Sequence, residues 1–408
     1  MFNTDLNTPK SEIEARIKNL QRKLVENKID GVLILQKADL FYFSGTIQDA
    51  HLYVPADKDP VLMVYKDRKR AIAESSINNI VPLENVRQIC SLLNDNGYAM
   101  PGILGMELDV LPANLYFNYQ SLFEHAKIID VSHHLRIIRA VKSAYEIDLI
   151  QQAARLSDQV ADSVKEFLHE GITEVALAGK VEARARKLGH PGIVRMRLWG
   201  SELFYGHLLS GPSAAVPSYL SSPTGGIGVS PAVAQSAGLR QIQRNEPVLV
   251  DYVFVLNGYM SDHARIFALG NLPDDLIKAH EAMLQVQAFI KKESKPNVKA
   301  GKLYDMALEL TKDLGYEKYF MGVGDRRIRF IGHGLGLELD EYPFLAKGQE
   351  LKLEQGMTIA LEPKLIFPGK GVVGIENTHV VTGNGLKQLG HFNDQINILN
   401  GSGGLAEG

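Results

Sequence analysis

Ile13, Ile17, Leu20 and Leu24 recur at helical spacing behind Ser11 and Glu14, a capping-box pair, so the polar opening of the chain gives way to an amphipathic helix. Asp30-Gly31 punctuates that helix, and the unbroken apolar run Val32 to Leu35 reads as a buried strand. LYVP from Leu52 and PVLMVY from Pro60 predict further strands, and the alternation predicts a small α/β domain. A second box, Ser143 with Glu146, opens a long helix bearing Ile147, Ile150, Ala154, Val160, Val164 and Leu168, with Gly171 as its stop. A shorter helix follows near Glu174 to Leu188.

The clearest β signal is PVLVDYVFVLNGYMSDHARIFALG, where Asn257-Gly258 between apolar runs favours a tight turn with positive φ at both positions. With those residues as the loop, Leu256 faces Tyr259, Asp251 faces Ala264 and Asp262 faces Val253. Asp251 and Asp262 then share one sheet face on a diagonal of about 7–8 Å. Helices from about Asp274 to Lys292 and from Lys302 to Leu314 come next, then a strand pair, MTIALEPKLIF with VVGIENTHVVT. The order helix, helix, strand pair thus occurs twice, which predicts a diverged duplication about a pseudo-twofold axis. Each half offers two carboxylates from its strand pair.

At 408 residues the chain is long for one core, and 45% hydrophobic with 22% charged residues gives material for two. A net charge of -3 gives no general attraction to nucleic acid or to acidic membranes. No stretch approaches transmembrane length, and the start MFNTDLNTPKSEIE has no apolar leader. A single cysteine, Cys90, makes no internal disulfide and fits a reducing cytosol, so a cytoplasmic location is expected. His133 and His134 are adjacent and point to different sides of a regular element, so they read as a surface or junction pair. The ending GSGGLAEG reads as a loose tail.

The chemistry lies in Asp251, Asp262, His333, Glu362 and Glu376. Glu362 follows the apolar strand Thr358 to Leu361 and precedes Pro363, which holds it extended. Glu376 sits inside an otherwise apolar strand, where a buried carboxylate needs a cation or a proton. His333 is flanked by Gly332, Gly334 and Gly336, which permit close backbone approach to a ligand. Each Asp alone reads better as a strand-end cap; all five together read as a centre for two divalent cations.

At these residues the chain resembles the pita-bread metallopeptidase family, which includes methionine aminopeptidase, Xaa-Pro aminopeptidase, prolidase and the related creatinase. The resemblance implies an α/β (α+β) architecture: a creatinase-like N-terminal domain over 1–136, a pita-bread catalytic domain over 137–398 and a flexible tail over 399–408. It implies that Asp251 and Asp262 bind one ion, that Asp262 and Glu376 bridge, and that His333 and Glu362 complete the other. It also implies manganese, with cobalt, iron or zinc as alternatives, and Glu362 as proton shuttle. The expected activity is cleavage of the N-terminal Xaa-Pro bond of short peptides by metal-activated water, in a homodimer.

Four departures stand out. Family peptidases carry a histidine seven residues after the ligand histidine, where this chain has Asp340, and another before the first Asp ligand, where a long Ser/Gly/Pro loop carries none. His207 in FYGHLLSGP is the candidate to compensate, the alternative being a structural role. Asp340 either acts at the site or pairs with Arg327 or Arg329. Ala264 replaces the usual Thr, and Gly374 stands where an Arg is often found. The rival expectation is therefore a metal-dependent lyase, or a creatinase-like C–N hydrolase acting on a small non-peptide molecule. A non-catalytic binding protein of the same fold ranks last, because all five ligands remain.

Overall fold

The computed structural model describes residues 6–202, 205–324 and 327–400. The chain divides into two compact units, Met1–Arg139 and Ala140–Gly408. The first is an α/β unit with helices α1 (Lys10–Glu26), α2 (Lys37–Ser44), α3 (Arg68–Glu74), α4 (Ile89–Asp95), α5 (Ala113–Leu122) and α6 (Ser132–Ala140). Its strands are β1 (Gly31–Ile34), β2 (Ala50–Pro55), β3 (Val61–Val64), β4 (Asn79–Pro82), β5 (Ile103–Met106) and β6 (Lys127–Asp130), in the sheet order β4-β3-β2-β1-β5-β6. The β1–β2 and β2–β3 pairs are antiparallel and the others parallel. The apolar positions of α1 bury Ile13, Ile17, Leu20 and Leu24. The Ser11–Glu14 box does not form, because Pro9 caps the helix one residue before Lys10 and its carbonyl accepts from Glu12 and Ile13. His133 is exposed and His134 half-buried on α6.

The second unit opens with α7 (Ala144–Phe167), where the Ser143 box does form: Ser143 Oγ accepts from Glu146 N at 3.2 Å and Glu146 Oε2 from Ser143 N at 3.0 Å. Then follow α8 (Glu174–Lys187), β7 (Leu208–Ser210), β8 (Val248–Leu256) and β9 (Tyr259–Leu269). The second half runs α9 (Asp274–Glu293), α10 (Ala300–Asp313), β10 (Phe330–Gly334), β11 (Glu341–Ala346), β12 (Thr358–Leu361), β13 (Lys364–Phe367), β14 (Gly371–Gly374), β15 (Asn377–Thr382), β16 (Gly385–Gln388) and β17 (Asn397–Leu399). The strands form sheets β17-β9-β8-β7, β11-β10-β12-β15-β16 and β13-β14.

Each helix pair backs its own strands. Ala153, Val160, Leu177 and Val181 of α7 and α8 share a core with Val250, Phe254 and Phe267 of β8 and β9. Met283, Val286, Leu303 and Ala307 of α9 and α10 share another with Ile331, Ile359 and Leu365. The expected long strand pair is broken into shorter ones at Glu362-Pro363 and at Ile375-Glu376. Leu399, assigned above to the tail, closes β17 against Leu269 of β9 and packs in the α7–α8 core, while residues 401–408 lie outside the described residues. Among the described residues no helix is long and apolar enough to cross a membrane.

Candidate metal centre

The β8–β9 hairpin has the register its turn residues demand. Asn257 and Gly258 take φ of 50° and 87°, Leu256 faces Tyr259, Asp251 faces Ala264 and Asp262 faces Val253. Both carboxylates therefore leave one face of the pair. Glu376 joins them because its peptide group exchanges hydrogen bonds with Ala264, the residue opposite Asp251. Thr378 Oγ1 bonds the backbone N and O of Asp262 and holds β9 to β15. Glu362 falls in the break after β12, its N–H bonded to Ile331 O at 2.9 Å, beside β10 and His333. Gly332 and Gly334 are required by close approach of neighbouring strands rather than of a ligand: a Cβ would collide with the Ala360 and Tyr342 carbonyl oxygens.

Donor atoms of Asp262, His333 and Glu376 lie within 4.8 Å of one another. His333 Nε2 is 3.7 Å from both Asp262 Oδ2 and Glu362 Oε1. Donors around a tetrahedral ion at about 2.1 Å lie ~3.4 Å apart, so this set fits one divalent cation with little adjustment. Burial pushes the Asp262 carboxyl up to about 7, reinforced by the charge of Asp251. Burial, then Asp262, also raises Glu376. Carboxylates held this way bind a cation in exchange for their protons.

A second ion meets an occupant. Lys364 Nζ lies 3.0 Å from Asp251 Oδ2, 2.9 Å from Glu362 Oε2 and 2.6 Å from Glu376 Oε2. Burial would depress this ammonium, but Asp251, Glu362 and Glu376 together outweigh burial and hold its pKa well above the ordinary value. The sequence reading passed over Lys364. Its signal was a lysine in the otherwise apolar run LIF after Glu362, where a buried ammonium requires carboxylate partners.

A cavity of about 290 Å³ opens onto the centre, lined by Asp251, Asp262, His333, Glu362 and Glu376 together with His207, Asp340, Phe330, Phe344 and Gln349. His207, buried just before β7, is lowered to about 4 by burial, so its imidazole is neutral. Its carbonyl accepts from Asp251 N at 2.8 Å, and its Nε2 lies 3.4 Å from Ser222 Oγ. Ser222 belongs to the long Ser/Gly/Pro loop, which sends Leu220, Ser221 and Ser222 into the cavity wall. Asp340 accepts from Arg197 N and Leu198 N, each at 2.7 Å, and Arg327 instead donates to Glu317 O. Leu339 N bonds Arg195 O, so the strip 195–198 is pinned along residues 339–340 while Met196 and Leu198 face the cavity.

A profile of metallopeptidase family M24 matches residues 148–383, and one of the creatinase/prolidase N-terminal domain matches residues 16–141. The chain is 29% identical over 383 residues to the Xaa-Pro dipeptidase of Pyrococcus furiosus, covering 92% of this chain and 98% of that one. Its structure is similar to the prolidase from Pyrococcus horikoshii OT3, with a TM-score of 0.77, 25% identity and coverage of 93% and 99%. It is likewise similar to the prolidase from Pyrococcus furiosus, with a TM-score of 0.73, 27% identity and coverage of 90% and 98%.

Proposed function

The chain belongs to metallopeptidase family M24, and from that premise we propose that it is an Xaa-Pro dipeptidase acting on short peptides. The observation that carries the reading is the donor triangle of Asp262, His333 and Glu376 at one end of a cavity of about 290 Å³. That volume suits a ligand of dipeptide size. A divalent cation there, for which we propose manganese ahead of cobalt, iron or zinc, supplies an electrophile for the scissile carbonyl and acidifies water. Glu362 has one oxygen toward His333 and the other toward Lys364, and we assign it the proton shuttle. His207, neutral and in the cavity wall, is assigned to hydrogen-bond the substrate. Asp340 already accepts from two backbone N–H groups, so we assign it the positioning of 197–198 rather than contact with a developing oxyanion.

The curated relatives named as dipeptidases do not favour the lyase or C–N hydrolase alternative. A homodimer in the cytoplasm remains part of the proposal, to be checked by light scattering and cell fractionation. The activity is tested by incubating the purified protein and manganese with a panel of Xaa-Pro dipeptides, longer Xaa-Pro peptides and dipeptides lacking proline. Cleavage of Xaa-Pro dipeptides that His333→Ala abolishes along with metal binding supports the reading. A fully metal-loaded protein that leaves every Xaa-Pro dipeptide intact sinks it.

A further inference from the structure

Lys364 is the residue of the centre that the metallopeptidase reading does not absorb. Asp251, Glu362 and Glu376 converge on its Nζ at 2.6–3.0 Å, and its side chain is 2% exposed. Three carboxylates around one point, Glu362 and Glu376 buried and Asp251 half-buried, are what a hard divalent cation asks for, and here an ammonium stands at that point. Such an ion would need carboxylate oxygens at about 2.0–2.6 Å. It cannot draw on Asp251 Oδ2 and Glu376 Oε2 while Nζ lies between them.

We infer that the ammonium of Lys364 fills one of the two cation positions of the centre, leaving a single divalent-ion site bounded by Asp262, His333 and Glu376. The inference rests on the reading of this centre as metal-binding. Geometry carries it. With the ammonium in place, one divalent ion falls one positive charge short of the four carboxylates of Asp251, Asp262, Glu362 and Glu376 and a second exceeds them by one, so the room taken by Nζ, not charge, decides between one ion and two. Glu362 has Oε2 2.9 Å from Lys364 Nζ and Oε1 3.7 Å from His333 Nε2, so ammonium and ion can share that carboxylate. Nor can Lys364 simply withdraw, because it begins β13, is paired with Gly374 and is fully enclosed.

The test is metal stoichiometry. Stripped protein dialysed against manganese and analysed by plasma mass spectrometry should hold about one equivalent, with the electron paramagnetic resonance spectrum of an isolated Mn(II) ion. Lys364→Ala removes the ammonium and opens its room, so it should hold about two equivalents and show the broadened signal of a coupled pair. A coupled pair in the unaltered protein overturns the inference and leaves the metallopeptidase reading standing. A single ion in both proteins also overturns it, since the lysine would not then be what excludes the second ion. No manganese in either overturns the inference and the metal-centre reading together. If Lys364→Ala does not fold, anomalous diffraction from manganese-soaked crystals of the unaltered protein decides. One peak beside His333 supports the inference, and a further peak against Asp251 overturns it.

Discussion

Gly374 stands directly opposite Lys364 in the β13–β14 pair, and a Cβ on it would lie 2.7 Å from Lys364 Cα and 3.1 Å from its Cγ. The glycine also holds a φ of 148°, which side chains rarely adopt. Where the family resemblance leads one to expect an arginine, this chain has no side chain at all, and the cation sits on the facing strand instead. Gly374→Ala should therefore cost about 2–3 kcal/mol through backbone strain and displacement of the Lys364 stem. Chemical denaturation of the metal-stripped protein measures this. An unchanged midpoint would show that the two positions are not coupled.

Lys364→Met keeps the length of the side chain and removes its charge. The buried Glu362 and Glu376 and the half-buried Asp251 then face one another with no ammonium between them. Breaking a buried ion pair from one side costs about 3–5 kcal/mol. The metal-stripped variant should lose that much stability, and saturating manganese should restore part of it through Asp262, His333 and Glu376. Thermal melts with chelator and with manganese provide the comparison. Equal melting temperatures for variant and unaltered protein in chelator would contradict the placement of the ammonium.

How far the centre could be read from the sequence follows from which contacts are local. Asn257-Gly258 fixed the turn and thereby the register that sends Asp251 and Asp262 from one face, and each step is a short-range rule. The Ser143–Glu146 box was equally local and formed, while Ser11–Glu14 lost to Pro9, whose carbonyl captured the first helical N–H groups. The breaks at Glu362-Pro363 and Ile375-Glu376 were hidden, because an apolar run does not say where a strand changes sheets. Lys364 was missed for a tertiary reason: its partner Asp251 is 113 residues away, and only the fold brings Glu376 to the same point.

Asp340 should behave as a positioning residue. Its carboxylate accepts from Arg197 N and Leu198 N, and Leu198 lines the cavity. In Asp340→Asn an amide NH2 must face one of those N–H groups, losing a charge-assisted bond worth about 1.5–3 kcal/mol and loosening the wall. The expected result is a KM raised by about tenfold or more, with a smaller loss in kcat. Steady-state kinetics on an Xaa-Pro dipeptide separates these. A loss confined to kcat would instead point to direct participation in the chemistry.

Away from the centre, His51 on β2 is expected to make the protein acid-sensitive. Burial lowers its imidazole from the ordinary 6.5 to about 4, outweighing the attraction of Asp49, and its Nε2 is 2.6 Å from Tyr119 Oη. Above pH 6.5 neither the folded nor the unfolded chain carries the proton, so the full stability is present. As pH falls from 6.5 toward 4 the unfolded chain takes up the proton and the folded one resists, so stability drains by up to about 3 kcal/mol. His51→Phe removes this titration. It loses the Tyr119 bond at every pH, so its deficit relative to the unaltered protein should be largest near pH 7 and shrink by about 2 kcal/mol near pH 4.5. Urea unfolding of both proteins across that range measures the difference. A deficit that stays constant with pH would mean that His51 titrates normally in the folded chain, and that its burial carries no electrostatic cost.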